Sequence, residues 1–283
     1  MKRLAALLVL LFAVALAAEK PLAVATIEPY ASLARAVLGE GWRVESLVPA
    51  GANPHVFNPT PADVKKVASA ELVIMNGLGF DEWVVDKLVR PNNLKTRVYR
   101  AEDSVQGMIL LLPSGAPDPH VWTDPVAMTF VVGDLAKLAA ELDPDHASEY
   151  QERARAYKLE LFNLSETNTV RLARAPTRIF VAYKNPFSYI ANRYRLSRAY
   201  LIAPNPAAEP TPRELAEAAK VLKAHGLRYL VAPLQTAEEA RRVAEMLGVE
   251  AVFIDLLGET NPDYLQVWDA NGRALARALG LEE

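Results

Sequence analysis

The stretch whose reading decides the fold is Val44-Glu45-Ser46-Leu47-Val48-Pro49-Ala50-Gly51-Ala52-Asn53-Pro54-His55-Val56-Phe57-Asn58-Pro59-Thr60-Pro61-Ala62-Asp63. The run Val44 to Val48 reads as a strand that ends at Pro49, since proline has no N–H to continue a sheet ladder. A loop broken by glycine and proline follows, and Thr60-Pro61 opens a helix as N-cap and first helical residue. His55 therefore sits in a stiff loop just past the carboxyl end of a strand, where open α/β sheets bind their ligands. The chain has four histidines. A second one, His120, lies in a similar loop, Asp118-Pro119-His120-Val121-Trp122-Thr123-Asp124-Pro125. Two proline-fixed histidines point to a metal site; the alternative for each is a structural hydrogen bond.

Outward from that stretch, strand and helix alternate. Pro21 to Ile27 reads as a buried strand and Tyr30 to Leu38 as a helix. Beyond the loop come a helix from Pro61 to Ala70, a strand from Glu71 to Met75 and a turn at Asn76-Gly77-Leu78-Gly79. A helix carrying Trp83, Val84, Val85 and Leu88 follows, then a strand from Thr96 to Tyr99. This alternation predicts an α/β fold with a mostly parallel sheet flanked by helices. Ala101 to Pro117 reads as loop or irregular strand. Asp124-Pro125 starts a helix to about Leu142, and Asp143-Pro144 starts another to about Arg174. The latter is long against a typical ~10–14 residues and suits a strut between two lobes, with packing on one lobe as the alternative. The second half repeats the plan: strands at Arg178–Ala182, Ala199–Ile202, Tyr229–Val231 and Val252–Asp255, and helices at Pro186–Arg195, from Pro212, at Ala240–Leu247 and at Pro262–Leu279. Glu209-Pro210-Thr211-Pro212 echoes Asn58-Pro59-Thr60-Pro61, as if one unit were used twice.

Lys2 and Arg3 precede an apolar run from Leu4 to Leu16, and Ala15-Leu16-Ala17 has a small-x-small pattern, so residues 1–17 are expected to be a secretory signal. The run falls short of the roughly 20 residues of a membrane span, and a retained anchor is the alternative. With no cysteine in the chain there is no site for cysteine lipidation, no disulfide and no thiolate ligand. These features imply a periplasmic protein of roughly 265 residues, enough for two lobes. Removing Lys2 and Arg3 takes the formal charge from −3 to −5, which gives no support to nucleic-acid binding.

A third chemical group, Asp255, closes the strand Val252-Phe253-Ile254-Asp255. Imidazole nitrogen with carboxylate oxygen suits zinc, manganese or iron; as a strand-end residue Asp255 has turn capping as its alternative. His146 and His225 fall at helix ends and read as structural. Two histidines and a carboxylate also allow a zinc hydrolase, but no general base is placed as in His-Glu-x-x-His and no Gly-x-Ser-x-Gly is present, so no enzyme is expected.

The two histidine segments, Asn76-Gly77-Leu78-Gly79 with Trp83, Phe187, Tyr189, Arg193-Tyr194 with Leu196, the Glu209-Pro210-Thr211-Pro212 helix start and Ile254-Asp255-Leu256-Leu257-Gly258 together resemble the zinc/manganese substrate-binding proteins of bacterial metal ABC transporters, a family that includes lipoproteins and adhesins. The resemblance runs through the whole chain after the signal. It implies an N-terminal lobe over residues 18–142, a linking helix over 143–175 and a C-terminal lobe over 176–283. It further implies one Zn2+ or Mn2+ held in the interlobe cleft by His55, His120 and Asp255, and delivered by a monomer to an ABC permease. One position departs from the pattern. Where the family has a histidine or glutamate as third ligand, ungapped alignment on Phe187, Tyr189 and Tyr194 puts Lys184, a group with donors only. Opposite Asp255 it would form an interlobe ion pair. Ala232 likewise stands where a glutamate is frequent. Three outcomes stay open: metal capture with water, Tyr183 or a shifted carboxylate such as Glu209 completing the set; an altered cleft that takes an anion or a metal complex, or serves regulation; and the hydrolase.

Overall fold

The computed structural model describes residues 19–92, 94–204 and 208–281; the expected signal segment lies outside them. The first lobe runs through β1 (Leu22–Ala25), α1 (Glu28–Leu38), β2 (Arg43–Ser46), α2 (Pro61–Ala68), β3 (Leu72–Met75), a π-helical segment (Val84–Val89), β4 (Arg97–Arg100) and α3 (Ala101–Ser104). Its strands are all parallel in the order β2-β1-β3-β4. Continuous apolar runs suit strands covered on both faces. Ala23, Ala25, Leu72 and Ile74 join the main core with α1, whereas Leu22, Val24 and Val73 pack on the other face with Val67, Val84 and Leu88. The stretch expected to be irregular, Ala101 to Pro117, holds α3, a 3-10 turn at Gln106–Met108 and an antiparallel bridge between Leu111 and Pro117.

α4 (Pro125–Leu142) starts with Asp124 accepting from the Val126 N–H at 2.9 Å. The helix expected from Pro144 is divided: a 3-10 turn, Pro144–His146, precedes α5 (Ala147–Ala173). Asp143 holds that corner, paired with His146 at 2.8 Å and accepting from the Tyr150 hydroxyl at 2.6 Å. The second lobe follows as β5 (Ile179–Ala182), α6 (Ser188–Arg193), β6 (Ser197–Leu201), α7 (Pro212–Ala224), β7 (Tyr229–Pro233), α8 (Ala237–Leu247), β8 (Glu250–Ile254) and α9 (Tyr264–Ala278). Its parallel order, β6-β5-β7-β8, repeats that of the first sheet. The paired motifs repeat as well: α2 and α7 each open with a capping box, Thr60 with Asp63 and Thr211 with Glu214.

α5 packs on both lobes. Near its start Arg153 donates to the Val37 and Leu38 carbonyls at 2.8 and 3.2 Å, satisfying the C-terminal end of α1. Near its other end Asn168 donates to the Trp268 carbonyl at 3.0 Å, and Arg171 pairs with Asp269 at 2.9 Å, both on α9. The crossing requires glycine at 272, because a Cβ there would meet Asn168 Oδ1 at 1.9 Å. No helix among the described residues is long and apolar enough to cross a membrane.

Candidate metal centre

His55 reaches the seam between the lobes on a 3-10 turn, Pro54–Val56, which Asn53 caps by accepting from the His55 N–H at 3.0 Å. Its ring meets Phe80 edge-on at 4.7 Å between centroids. Phe80 is fixed by the turn before it, where Gly77, Leu78 and Gly79 all have positive φ. Asp81 holds that turn: its carboxylate accepts from Thr26 Oγ1 at 2.6 Å, Asn76 N at 2.7 Å and Gly77 N at 2.8 Å. Burial outweighs these bonds and pushes its pKa up to about 6.

His120 faces His55 with ring centroids 5.5 Å apart. An imidazole centroid lies about 3.2 Å from a metal bound at 2.0–2.1 Å, so two rings on one tetrahedral ion stand about 5.2 Å apart. The pair is therefore spaced for one ion. Asp118 orients the second ring, its Oδ1 lying 2.7 Å from His120 Nδ1 and accepting from the His120 N–H at 3.0 Å. That bond places the proton on Nδ1 and leaves the lone pair on Nε2. Burial raises the Asp118 pKa, but its bonds to His120 outweigh that and the net shift is downward. His55 is exposed, yet desolvation by the surrounding protein and the neighbouring His120 bring its pKa down to about 4, with Asp118 opposing. A neutral imidazole offers its lone pair to a metal without first losing a proton.

The second lobe closes over this pair through Trp122 and Tyr264. Trp122 Nε1 donates to the Leu256 carbonyl at 2.9 Å, and Tyr264 donates to the Trp122 carbonyl at 2.8 Å. Arg193 of α6 holds Asp124 with two bonds of 2.8 and 2.7 Å. Tyr189 donates to the Asp118 carbonyl at 2.9 Å.

Asp255 is buried directly after β8 and its carboxylate is engaged by its own loop. Oδ1 accepts from Leu257 N at 3.2 Å and Glu259 N at 3.1 Å; Oδ2 accepts from Thr260 N at 2.8 Å and Thr260 Oγ1 at 2.7 Å. Among the described residues no three side chains of His, Asp or Glu converge on one point in a way that would hold a metal. The histidine pair is thus assembled, and a third ligand is not. Tyr183 is buried and Lys184 Nζ lies 5.1 Å from its ring centroid, donating to the Ala208 carbonyl at 3.2 Å. The expected Lys184–Asp255 pair is absent from the ion pairs among the described residues, because Asp255 is filled by backbone N–H groups. Glu209 stands exposed beside Arg242, 3.8 Å away, and makes no contact with the histidines. His146 and His225 sit at helix ends as expected.

Three contributors went unnoticed in the sequence. Asp118 carries a local signal, the Asp-x-His spacing that lets a carboxylate reach the Nδ1 of the imidazole. Phe80 has no signal beyond its turn. Glu259 is brought to the seam by the loop after β8: a Cβ on Gly51 would lie 4.0 Å from its Oε2, and its Oε1 accepts from Gln235. Burial raises the pKa of Glu259, opposed by Gln235 and reinforced by the charge of Asp255.

Two parallel-sheet lobes, a helix clamped to both, and paired imidazoles at the seam define the class of two-lobe binding proteins. The model of the ZnuA family, zinc-uptake complex component A periplasmic, matches residues 23–278, and the chain belongs to that family. The metal ABC transporter substrate-binding lipoprotein SloC of Streptococcus mutans is 30% identical over 215 residues, spanning 72% of this chain and 70% of SloC. The iron-binding protein YfeA of Yersinia pestis is 26% identical over 278 residues, spanning 93% of this chain and 88% of YfeA. A crystal structure of ZnuA superposes with a TM-score of 0.83 at 25% identity, covering 93% of this chain and 100% of that one. The family is one of transport components, not of enzymes.

Proposed function

We propose that this chain is the substrate-binding component of a metal importer, capturing a divalent transition metal, zinc or manganese, and handing it to an ABC permease. The observation that carries the reading is the histidine pair: two imidazoles spaced for one ion, with His120 Nε2 left open by Asp118. Family membership and the metal-transport names of the relatives support the permease partner and an exported, periplasmic setting. His55 and His120 supply nitrogen. Asp255 supplies oxygen through Oδ1, whose bonds of 3.1 and 3.2 Å are longer and easier to exchange than those at Oδ2. In this reading the chain works as a monomer, divided near residues 142 and 175.

With donors only, Lys184 cannot ligate while protonated, so affinity is lower than for a full set of four protein ligands. Because the ion bridges two lobes, its binding favours the arrangement in which both sides touch it, and the permease distinguishes loaded from empty protein by that difference. Calorimetric titration of metal-stripped protein with zinc and with manganese tests the reading. One-site binding that disappears in His55→Ala is expected; no binding by the unaltered chain would overturn it.

A further inference from the structure

We infer that Trp83 and Lys87 are positioning residues for His55: through Phe57 and Asn58 they hold its loop where the ring can share an ion with His120. This rests on the metal-capture reading above and names what aims the less constrained of its two imidazoles. The histidines are oriented in different ways. His120 has Asp118 on Nδ1 at 2.7 Å. Among the described residues no protein group makes a hydrogen bond to the His55 ring, only to its backbone N–H. A ligating imidazole is ordinarily aimed by a hydrogen bond at its second nitrogen. Within the protein, the aim of His55 comes instead from the packing of its loop.

Side chains join that loop to the lobe. From Pro49 to Asn58 the backbone hydrogen bonds among the described residues close inside the loop: Ala52 N to Pro49 O at 3.1 Å, Val56 N to Asn53 O at 3.3 Å and Phe57 N to Pro54 O at 3.5 Å. Its tip is open, with Val56 76% exposed. Directly after Val56 the Phe57 ring lies on Trp83, with centroids 5.0 Å apart and planes tilted by 50°. Asn58 Oδ1 accepts from Lys87 Nζ at 3.3 Å. Phe80, edge-on to the His55 ring, comes from the same segment. Residues 55, 57 and 58 are thus gripped from one stretch of chain, 80 to 87.

That stretch is firmly seated. Asp81 ties it to Thr26, and Val84 and Leu88 are buried against the sheet face that carries Leu22, Val24 and Val73. Trp83 stands at the start of the π-helical segment and packs on the cores of both sheet faces. Its Nε1 is buried with no hydrogen-bond partner among the described residues, so Trp83 holds Phe57 by ring packing and not through its N–H. A phenylalanine can supply that packing, since tilted aromatic pairs do not require an indole. Lys87 adds a tether at the next residue of the loop. Neither residue touches the metal in this arrangement; both act through the loop that carries the ligand.

The test pairs zinc titration with the imidazole proton resonances of the metal-free protein, which has four histidines to assign. Phe80 at 4.7 Å displaces the His55 signals by its ring current, so they report where that ring stands. In Trp83→Ala the His55 signals are expected to move towards those of a free histidine, while His146 and His225 keep theirs, and zinc affinity should fall about tenfold. Trp83→Phe should restore both readouts. Lys87→Met, a change at an exposed side chain, should move both in the same direction by less. Unmoved His55 signals in Trp83→Ala, or moved signals with unchanged zinc affinity, would overturn the inference and leave metal capture standing. If Trp83→Ala disturbs all four histidines, Lys87→Met decides, and no movement of His55 there would overturn it. Absence of zinc binding by the unaltered chain would overturn the capture reading, and the metal-free resonances would still show whether Trp83 and Lys87 place His55.

Discussion

His120 shows how one neighbour sets the tautomer of a candidate ligand. Asp118 sets its tautomer from two residues away, so Asp118→Asn, which weakens that anchor while keeping an acceptor, should lower zinc affinity by about tenfold. An unchanged titration curve would remove Asp118 from the site. Lys184→His should act in the opposite direction, raising divalent-metal affinity by more than about tenfold, since it replaces a cation by a nitrogen ligand. Asp81 gives a pH signature in stability instead of binding. Its folded pKa of about 6 lies above the ordinary aspartate value of 3.8, so the folded state binds the proton more tightly. Stability from this group is therefore fully present at low pH and falls as pH rises through about 4 to 6, by about 3 kcal/mol in total. Denaturation at several pH values should show the difference between Asp81→Asn and the unaltered protein changing across that window; a constant difference would contradict the shift. The two candidate histidines were legible because proline and helix caps bracket their loops. The engaged state of Asp255 was not, since its partners depend on how Leu257 to Thr260 curl back.

Elements were easiest to read where local chemistry alone sets an end. Thr60-Pro61, Asp124-Pro125 and Thr211-Pro212 each start a helix at the expected residue, because a side-chain oxygen and a fixed φ act within one turn. The two capping boxes should contribute alike. Thr60→Ala and Thr211→Ala are each expected to cost about 1 kcal/mol, measured by urea denaturation, and a large inequality would show that the repeated unit is not energetically equivalent in the two lobes. Strand ends were less legible: β2 stops at Ser46, before the apolar Leu47 and Val48 that the sequence included. Both residues still bond to β1 and its continuation, at the Ala25 and Thr26 carbonyls, but they lie beyond the regular ladder. Likewise Val84–Val89 has helical apolar spacing, yet forms a π-helical segment, a difference in hydrogen-bond register that spacing does not encode.

Across the whole molecule, one continuous core joins the lobes. Leu33 and Val37 of α1, Val131 and Leu135 of α4, Leu161 and Leu172 of α5, and Tyr189, Trp268 and Leu275 of the second lobe belong to the same buried cluster. Opening the cleft widely would expose that shared surface, at about 25 cal/mol for each Å². Zinc binding should therefore change the radius of gyration only slightly; a large compaction in solution scattering would mean that the core is not shared in the empty protein. The tight crossing at Gly272 is the point where this coupling is most easily broken. Gly272→Ala should destabilise by about 1–3 kcal/mol through overpacking against Asn168, read as a lowered melting temperature.

The sequence by itself determined the alternation of strands and helices, the helix starts and the two histidine loops, because periodicity, proline and side-chain caps act over a few residues. It also exposed Lys184 as a departure from the family pattern. Only the tertiary structure decided that His55 and His120 face each other at 5.5 Å, that Asp255 is bound into its own loop, and that Lys184 donates to the Ala208 carbonyl. Those facts depend on how separate loops at the carboxyl ends of two sheets meet. The meeting is set by the packing of α5 against both lobes, a sum of contacts between residues distant in the chain.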